Sequence, residues 1–272
     1  MMKNRIYAMD THFMCDNAGP STEEQVRMVK AAGFDDYYFT DAVTKRDELE
    51  KVIEASREAG LGFSSAFQRF DVRETPSPEY LQRIEDLVKV LPCGTRLEIA
   101  LTCGEWAENV GNVDCDERAL AWLRPIADIL EKCHREGSLY PHFGFYLETF
   151  SDALRLAAKT NHPLLKVMFC GYHWYNVGKE PDFADLFSRA GDRLNAVNLC
   201  GSRHWHDKSQ IVNGLNPSIE PLDSGTLPNE AIIAQLIQIG YTGPIGVQGY
   251  GVNAPAADAL ERSQAYLSQC LR

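Results

Sequence analysis

The sequence predicts a single α/β domain over residues 1–272, folded as a (β/α)8 TIM barrel. Three observations carry that expectation. Eight apolar or β-branched runs recur along the chain, segments of helical periodicity separate them, and glycines close six of the helices just before the next run. Eight units in 272 residues average 34 each, close to the roughly 30 that a strand–helix–strand step takes and too long for hairpins. A count of eight favours a closed barrel over an open doubly wound sheet.

The first strand candidate, Arg5–Phe13, contains Asp10-Thr11-His12-Phe13 at its end, without the glycine-rich loop that would receive a pyrophosphate. A nucleotide-binding reading therefore fails. Ser21 and Glu24 form a capping-box pattern for the first helix, which Gly33 closes before the second strand, Asp36–Asp41. The mixed charges of Lys45–Glu48 open the next helix as a solvated face, and Gly60 ends it ahead of strand three, Leu61–Phe67. Ser77-Pro78 places proline in a first helical turn, and Leu81, Ile84, Leu87 and Leu91 share one face of that helix. Gly94 precedes strand four, Arg96–Cys103. Asp116–Arg118 begins the fourth helix, whose buried face is Leu120, Leu123, Ala127 and Leu130. Gly137 is read as its stop, and Phe143–Glu148 as strand five. Strands six and seven are Leu165–His173 and Leu194–Cys200, the second preceded by Gly191. Leu227-Pro228 starts another helix, Gly240 ends it, and Pro244–Gln248 is strand eight. Leu260, Gln264, Leu267 and Leu271 mark the inner face of the last helix, with one polar exception.

Composition limits the function. The chain holds 27 Lys and Arg against 38 Asp and Glu, a formal charge of −11. That argues against a nucleic-acid partner or a membrane-surface binder, since both need clustered cationic charge. The eight cysteines are scattered without a CxxC pair, which reads as reduced thiols in the cytoplasm and not as a disulfide framework. The first ten residues lack the apolar stretch of a secretory signal, and no apolar run approaches the roughly 20 residues of a membrane span. The expected location is therefore cytoplasmic. The sequence leaves a homo-oligomer open.

In such a barrel, chemistry sits where strands end and loops begin. The polar residues at those points are His12, Asp41, Gln68, Glu105, Glu148, His173, Asn198 and Gln248. They come from different strands, so the fold would bring them to one mouth.

The stretch from Phe143 to Gly251 resembles the xylose isomerase-like superfamily of sugar isomerases and epimerases. The pieces that carry the resemblance are Gly-Phe-Tyr-Leu-Glu148, Cys170-Gly-Tyr-His173 and Val197-Asn198-Leu199. Gly240-Tyr241-Thr242-Gly243-Pro244 then leads into Val247-Gln248-Gly249-Tyr250. Gly33-Phe34-Asp35 before strand two is a further, weaker match. The resemblance implies a divalent metal held by Glu, Asp, His and Glu at the ends of strands five to eight. Of that set only Glu148 survives: Cys170 stands for the aspartate, Asn198 for the histidine and Gln248 for the second glutamate. His173 keeps the spacing of the family's DxxH pattern without its aspartate.

One carboxylate, two amides and a thiol are poor company for hard Mg2+ or Mn2+. The expectation is a barrel without a resident metal, in which Glu148, Cys170, Asn198 and Gln248 are vestigial positions. The alternative cofactor is a divalent manganese, magnesium or zinc ion. A zinc version would rebuild the site from Cys170, His173 and His204 or His206. An amide cannot take up a proton near neutral pH, so Gln248 can only hydrogen-bond. Glu148 is the expected base, with His173 or His12 as its partner.

Arg203-His204-Trp205-His206-Asp207-Lys208 is the densest polar and aromatic cluster, either a loop touching a polyol or phosphate or a solvated loop anchored by Trp205. Asp223–Thr226 and Gly249–Gly251 are phosphate-binding turns or ordinary ones. Trp106, Tyr172, Trp174 and Tyr175 suit either a sugar's apolar face or packing under loops. His134, His142 and His162 read as structural, and Cys103 and Cys200 as small apolar fillers.

The resulting expectation is a sugar or sugar-phosphate isomerase or epimerase whose partner is a small polyhydroxylated molecule at the C-terminal mouth. Glu148 and His173 would be catalytic, and His12, Asn198, Arg203, His204 and Gln248 would bind substrate. The alternative is a silent, metal-free barrel that binds a sugar-like ligand or a partner without turnover. An apurinic-site endonuclease, another branch of the superfamily, conflicts with the lost ligands and the net charge of −11.

Overall fold

In a computed structural model that describes residues 4–14, 19–203, 218–252 and 254–272, eight parallel strands close on themselves. They are β1 (Ile6–Met9), β2 (Asp36–Phe39), β3 (Gly62–Asp71), β4 (Arg96–Thr102), β5 (Gly137–Leu139), β6 (Leu165–Cys170), β7 (Leu194–Leu199) and β10 (Ile245–Val247). Between the last two lies a small antiparallel ribbon, β8 (Gly201–Ser202) with β9 (Ile219–Glu220), outside the barrel. The ring closes through β1, which pairs Tyr7 with Asp36 on one side and Ile6 with Ile245 on the other.

Helices follow the strands as the periodicity requires: α1 (Thr22–Ala31), α2 (Arg46–Glu58), α3 (Pro78–Val90), α4 (Asp116–Lys132), α5 (Phe150–Thr160), α6 (Gly171–Val177), α7 (Phe183–Ala190), α8 (Asn229–Gln238) and α9 (Ala256–Cys270). Ser21 and Glu24 form the reciprocal capping box, and Ser77 caps α3 with Pro78 at its first position. Pro228 is the residue before α8 and not part of its first turn. The predicted inner faces are buried: Leu120, Leu123, Ala127 and Leu130 on α4, and Leu260 and Leu267 on α9. No helix among the described residues is long and apolar enough to cross a membrane.

Strand five differs from the sequence expectation. It spans Gly137–Leu139, so Gly137 belongs to the ladder, and the left-handed residue that ends α4 is His134, with φ 53°. Phe143–Glu148 is a loop. Its chain reverses at His142–Phe145, where Phe145 N–H donates to His142 O, and Leu147 N–H donates to Leu101 O. Gly144 makes the reversal possible: its φ is +77°, and a Cβ there would lie 2.4 Å from the Trp106 ring. Strand one also ends early, at Met9, because Asp10–Phe13 coils into one 3-10 turn.

The barrel interior is filled in layers. Tyr7 stacks on Tyr38 with ring centres 5.6 Å apart, and Tyr38 Oη donates to the buried Glu98 at 2.6 Å. Toward the mouth follow Ala100, Tyr140, Met168, Cys170 and Ala196, with Phe67 against them. The barrel is therefore a plugged core, and a ligand can enter only above this layer.

Candidate active site

Above the plug, at the C-terminal ends of the strands, opens a cavity of about 560 Å³. Seven aromatic residues stand in its walls: Phe67, Trp106, Tyr140, Phe143, Phe145, Tyr172 and Tyr250. Its polar lining comes from Thr11, Thr40, Asp41, Arg69, His142, His173 and Gln248. Trp106 and Tyr250 are more than half exposed at the rim. Period-two alternation explains one side of this wall. Phe67 of β3 points inward, so Arg69, two residues on, emerges at the mouth on the same face. Gln68 points the other way and accepts from Val43 N–H at 2.9 Å.

The polar lining includes a pair of facing imidazoles. The His142 and His173 rings lie 4.0 Å apart between centres, and Phe145 stacks on His142 at 3.9 Å. His142 Nδ1 lies 2.8 Å from the carbonyl of Phe143. A carbonyl only accepts, so the neutral ring carries its proton on Nδ1 and presents Nε2 as a lone pair. Burial lowers the His142 pKa to about 4 against the opposing pull of the Phe143 carbonyl, and the nearby Arg69 charge lowers it further. Burial, then His142 itself, holds His173 well below the usual histidine range. His173 Nδ1 is buried without a partner. A proton on Nε2 leaves only a lone pair unpaired there, so the two rings present one donor and one acceptor.

Beside them Gln248 Oε1 accepts from Tyr140 Oη at 3.2 Å and faces Cys170 Sγ at 3.7 Å, while Gln248 Nε2 points to Cys200 Sγ at 3.7 Å. Burial raises the Cys170 thiol to about 12 despite hydrogen bonds that favour the thiolate, so it stays protonated.

Of the residues expected from the sequence, His173 and Gln248 line the cavity. Glu148 sits at the end of the β5–α5 loop and is not in the lining. Its carboxylate holds Lys179 Nζ at 2.7 Å and accepts from Gly144 N–H at 3.1 Å. Asn198 is fully buried in the barrel with its amide nitrogen toward Met9 Sδ and its oxygen unpartnered. His12 is buried behind Thr11, with Nδ1 3.0 Å from Met9 O. Arg203 is taken up by Glu220 at 2.7 Å. His204, with Trp205, His206 and Lys208, lies outside the described residues. The lining also holds His142, read from the sequence as structural, and Arg69 and Tyr140, which the sequence did not single out. The signal for His142 was present: it follows Tyr140-Pro141 directly after the true fifth strand.

The metal implied by the resemblance was tested against these donors. The one carboxylate, Glu148, is already neutralised by an ammonium. Cys170 is a protonated thiol, and Asn198 and Gln248 are neutral amides, Asn198 with its nitrogen turned to Met9 Sδ and Gln248 with its oxygen accepting from Tyr140. That set does not fit a hard divalent ion. The zinc alternative calls on His204 or His206, which lie outside the described residues; among the described residues no group of three His, Cys, Asp or Glu could hold a metal ion.

Residues 26–270 match the model of a protein family described as xylose isomerase-like TIM barrel. No curated protein matches the sequence. Among solved structures, a 3-keto-D-glucoside 4-epimerase from E. coli superposes with a TM-score of 0.75 at 20% identity, covering 98% of this chain and 100% of that one. A xylose isomerase-like TIM barrel protein from Mycobacterium smegmatis, in complex with magnesium, gives 0.74 at 18% identity, covering 98% and 96%. A D-allulose 3-epimerase from Methylomonas sp. gives 0.72 at 16%, covering 99% of each chain. At these identities the likeness is one of fold.

Proposed function

Because the chain belongs to the xylose isomerase-like TIM barrel family, we propose that it is an isomerase or epimerase acting without a metal on a small polyhydroxylated substrate in the mouth cavity. The observation that carries the reading is the juxtaposed, neutral His142 and His173 in an aromatic-walled cavity at the strand ends. Aromatic faces suit the C–H face of a sugar, and the polar lining suits its hydroxyls.

In this reading His142 Nε2 takes a proton from a carbon next to the substrate carbonyl. The electron pair left behind moves onto the carbonyl oxygen, which His173 polarises as a neutral donor. In an isomerisation His142 returns the proton to the former carbonyl carbon while the hydroxyl proton of the first carbon passes through His173 to the carbonyl oxygen; in an epimerisation a donor on the opposite face supplies a proton to the same carbon and His142 gives its own to solvent. No oxidant or reductant is consumed. Gln248, oriented by Tyr140, hydrogen-bonds a substrate hydroxyl. Glu148 acts through position: with Lys179 and Gly144 it fixes the loop that carries His142.

The test is exchange of substrate C–H hydrogen into D2O across a panel of ketoses and aldoses. Exchange that depends on His142 supports the reading. Saturable binding with no exchange for any member supports the silent barrel instead.

A further inference from the structure

We infer that the substrate carries an anionic group, a carboxylate or a phosphate, and that Arg69 receives it at the rim of the mouth cavity. The inference rests on that cavity being the ligand site and names the chemistry of what enters it.

Arg69 is the sole lysine or arginine in the cavity lining among the described residues. It is exposed, and its guanidinium makes a cation–π approach to Phe145, 5.9 Å from the ring centre. Its neighbours at this end of the barrel are paired: Arg73 with Asp71 at 2.7 Å, and Arg203 with Glu220 at 2.7 Å. Arg69 has no such carboxylate among the described residues. Its charge is nonetheless felt inside, where it disfavours protonation of His142.

The rest of the lining does not balance it. Asp41 is the one carboxylate in the wall among the described residues, and Lys45 stands 3.7 Å from it. Asp71, Glu74 and Glu105 belong to the groove on the far side of Arg69, where Arg73 also lies, and none forms an ion pair with Arg69. With Asp41 facing Lys45, the described lining on the cavity side of Arg69 offers its guanidinium no ion-pair partner. An aromatic ring under a guanidinium fixes its plane without using its N–H donors, so the planar fork stays open for a carboxylate or phosphate. In a chain of net charge −11, a guanidinium in the cavity lining with no ion-pair partner among the described residues is a local exception to the surrounding field.

Calorimetric titration would compare aldoses and ketoses with their uronates and their phosphates, using wild type, Arg69→Gln and Arg69→Lys, at low and raised salt. The anionic member of at least one series should bind about ten- to a hundred-fold tighter than its neutral parent, the usual worth of charge-assisted hydrogen bonds. Arg69→Gln should erase the ratio between the anionic and the neutral member, Arg69→Lys should keep part of it, and salt should weaken the anion more than the neutral sugar. Whether the uronate or the phosphate gains identifies the anion. Equal affinities in wild type, a preference that survives Arg69→Gln, or no binding by any member overturns the inference. Arg69-dependent anion binding without D2O exchange would sink the isomerase reading alone. Exchange on neutral sugars without anion preference would sink this inference alone.

Discussion

His142 and His173 face each other with ring centres 4.0 Å apart and planes inclined by 38°. Two imidazolium ions at that separation would repel strongly in a water-poor cavity, so the pair holds no more than one added proton. The arrangement favours the neutral state of both rings across the physiological range. A base and an electrophilic donor then coexist side by side without a carboxylate between them.

This assigns different consequences to two substitutions. His142→Asn places an amide N–H where Nδ1 was, keeping the bond to Phe143 O, and removes Nε2. Proton exchange should fall on the order of 10²–10⁴, the usual worth of a positioned base, while ligand affinity changes by less than about tenfold. His142→Gln, which keeps a group near Nε2 without its basicity, should be equally slow. Parallel loss of binding and exchange in both variants would make His142 a structural residue.

Glu148 separates the sequence expectation from the geometry. As a base it would lose on the order of 10²–10⁴ in exchange on conversion to Gln. As the partner of Lys179 and Gly144 it should lose less than about tenfold. Lys179→Met should be worse for stability than Glu148→Gln, because it leaves a carboxylate that is only 6% exposed without its counter-charge. The expected cost is about 1–3 kcal/mol in urea melts, largely restored in the double variant. A hundred-fold loss of exchange in a normally folded Glu148→Gln protein would return the base to Glu148.

The barrel was legible because its causes are local and repeated. The buried stripe of α4, the capping box at Ser21 and the positive-φ glycines at 33, 60, 94, 191 and 240 are each written within a few residues. Strand five was not legible. Gly137-Ser138-Leu139 has no β-branched residue, whereas Phe143–Leu147 is apolar because it folds over the end of β4 and under Trp106. That exchange hid His142 by placing it before the strand instead of after it. Arg69 was hidden similarly, since β3 continues to Asp71, past the apolar run that marked it. The pairing of Glu148 with Lys179 spans 31 residues and has no local signal.

Chelation tests the donor chemistry. Prolonged dialysis against EDTA, followed by exchange assays with and without added Mn2+, Mg2+ or Zn2+, should change the rate by less than about twofold, since no substrate oxygen is held by a Lewis acid in the proposed route. Metal analysis of protein purified without chelator should find well under one equivalent. Activity lost to EDTA and restored by one of these ions would overturn the metal-free reading.

Asp10 and His12, two positions apart on one 3-10 turn, should give the fold opposite pH dependences. Burial raises the Asp10 carboxyl to about 7, although Thr40 donates to it from both its N–H and its hydroxyl. The folded chain therefore holds a proton that the unfolded chain gives up near 3.8, and the contribution of Asp10 to stability declines as pH rises from about 4 to about 7. The full difference is on the order of 4 kcal/mol. His12 works the other way. Burial lowers it to about 4 from 6.5, against a bond to Met9 O, so the unfolded chain binds the extra proton and stability falls as pH drops through that window. Its share is on the order of 3 kcal/mol. Asp10→Asn should keep one oxygen for Thr40 while removing the buried charge. Relative to wild type it should gain stability steadily between pH 4 and 7, and His12→Asn should gain on going down the same range. Urea melts at about pH 4.5, 6 and 7.5 sample both windows and read both slopes. Parallel stability curves for Asp10→Asn and wild type would mean that the Asp10 carboxyl ionises in the folded barrel at its ordinary pH.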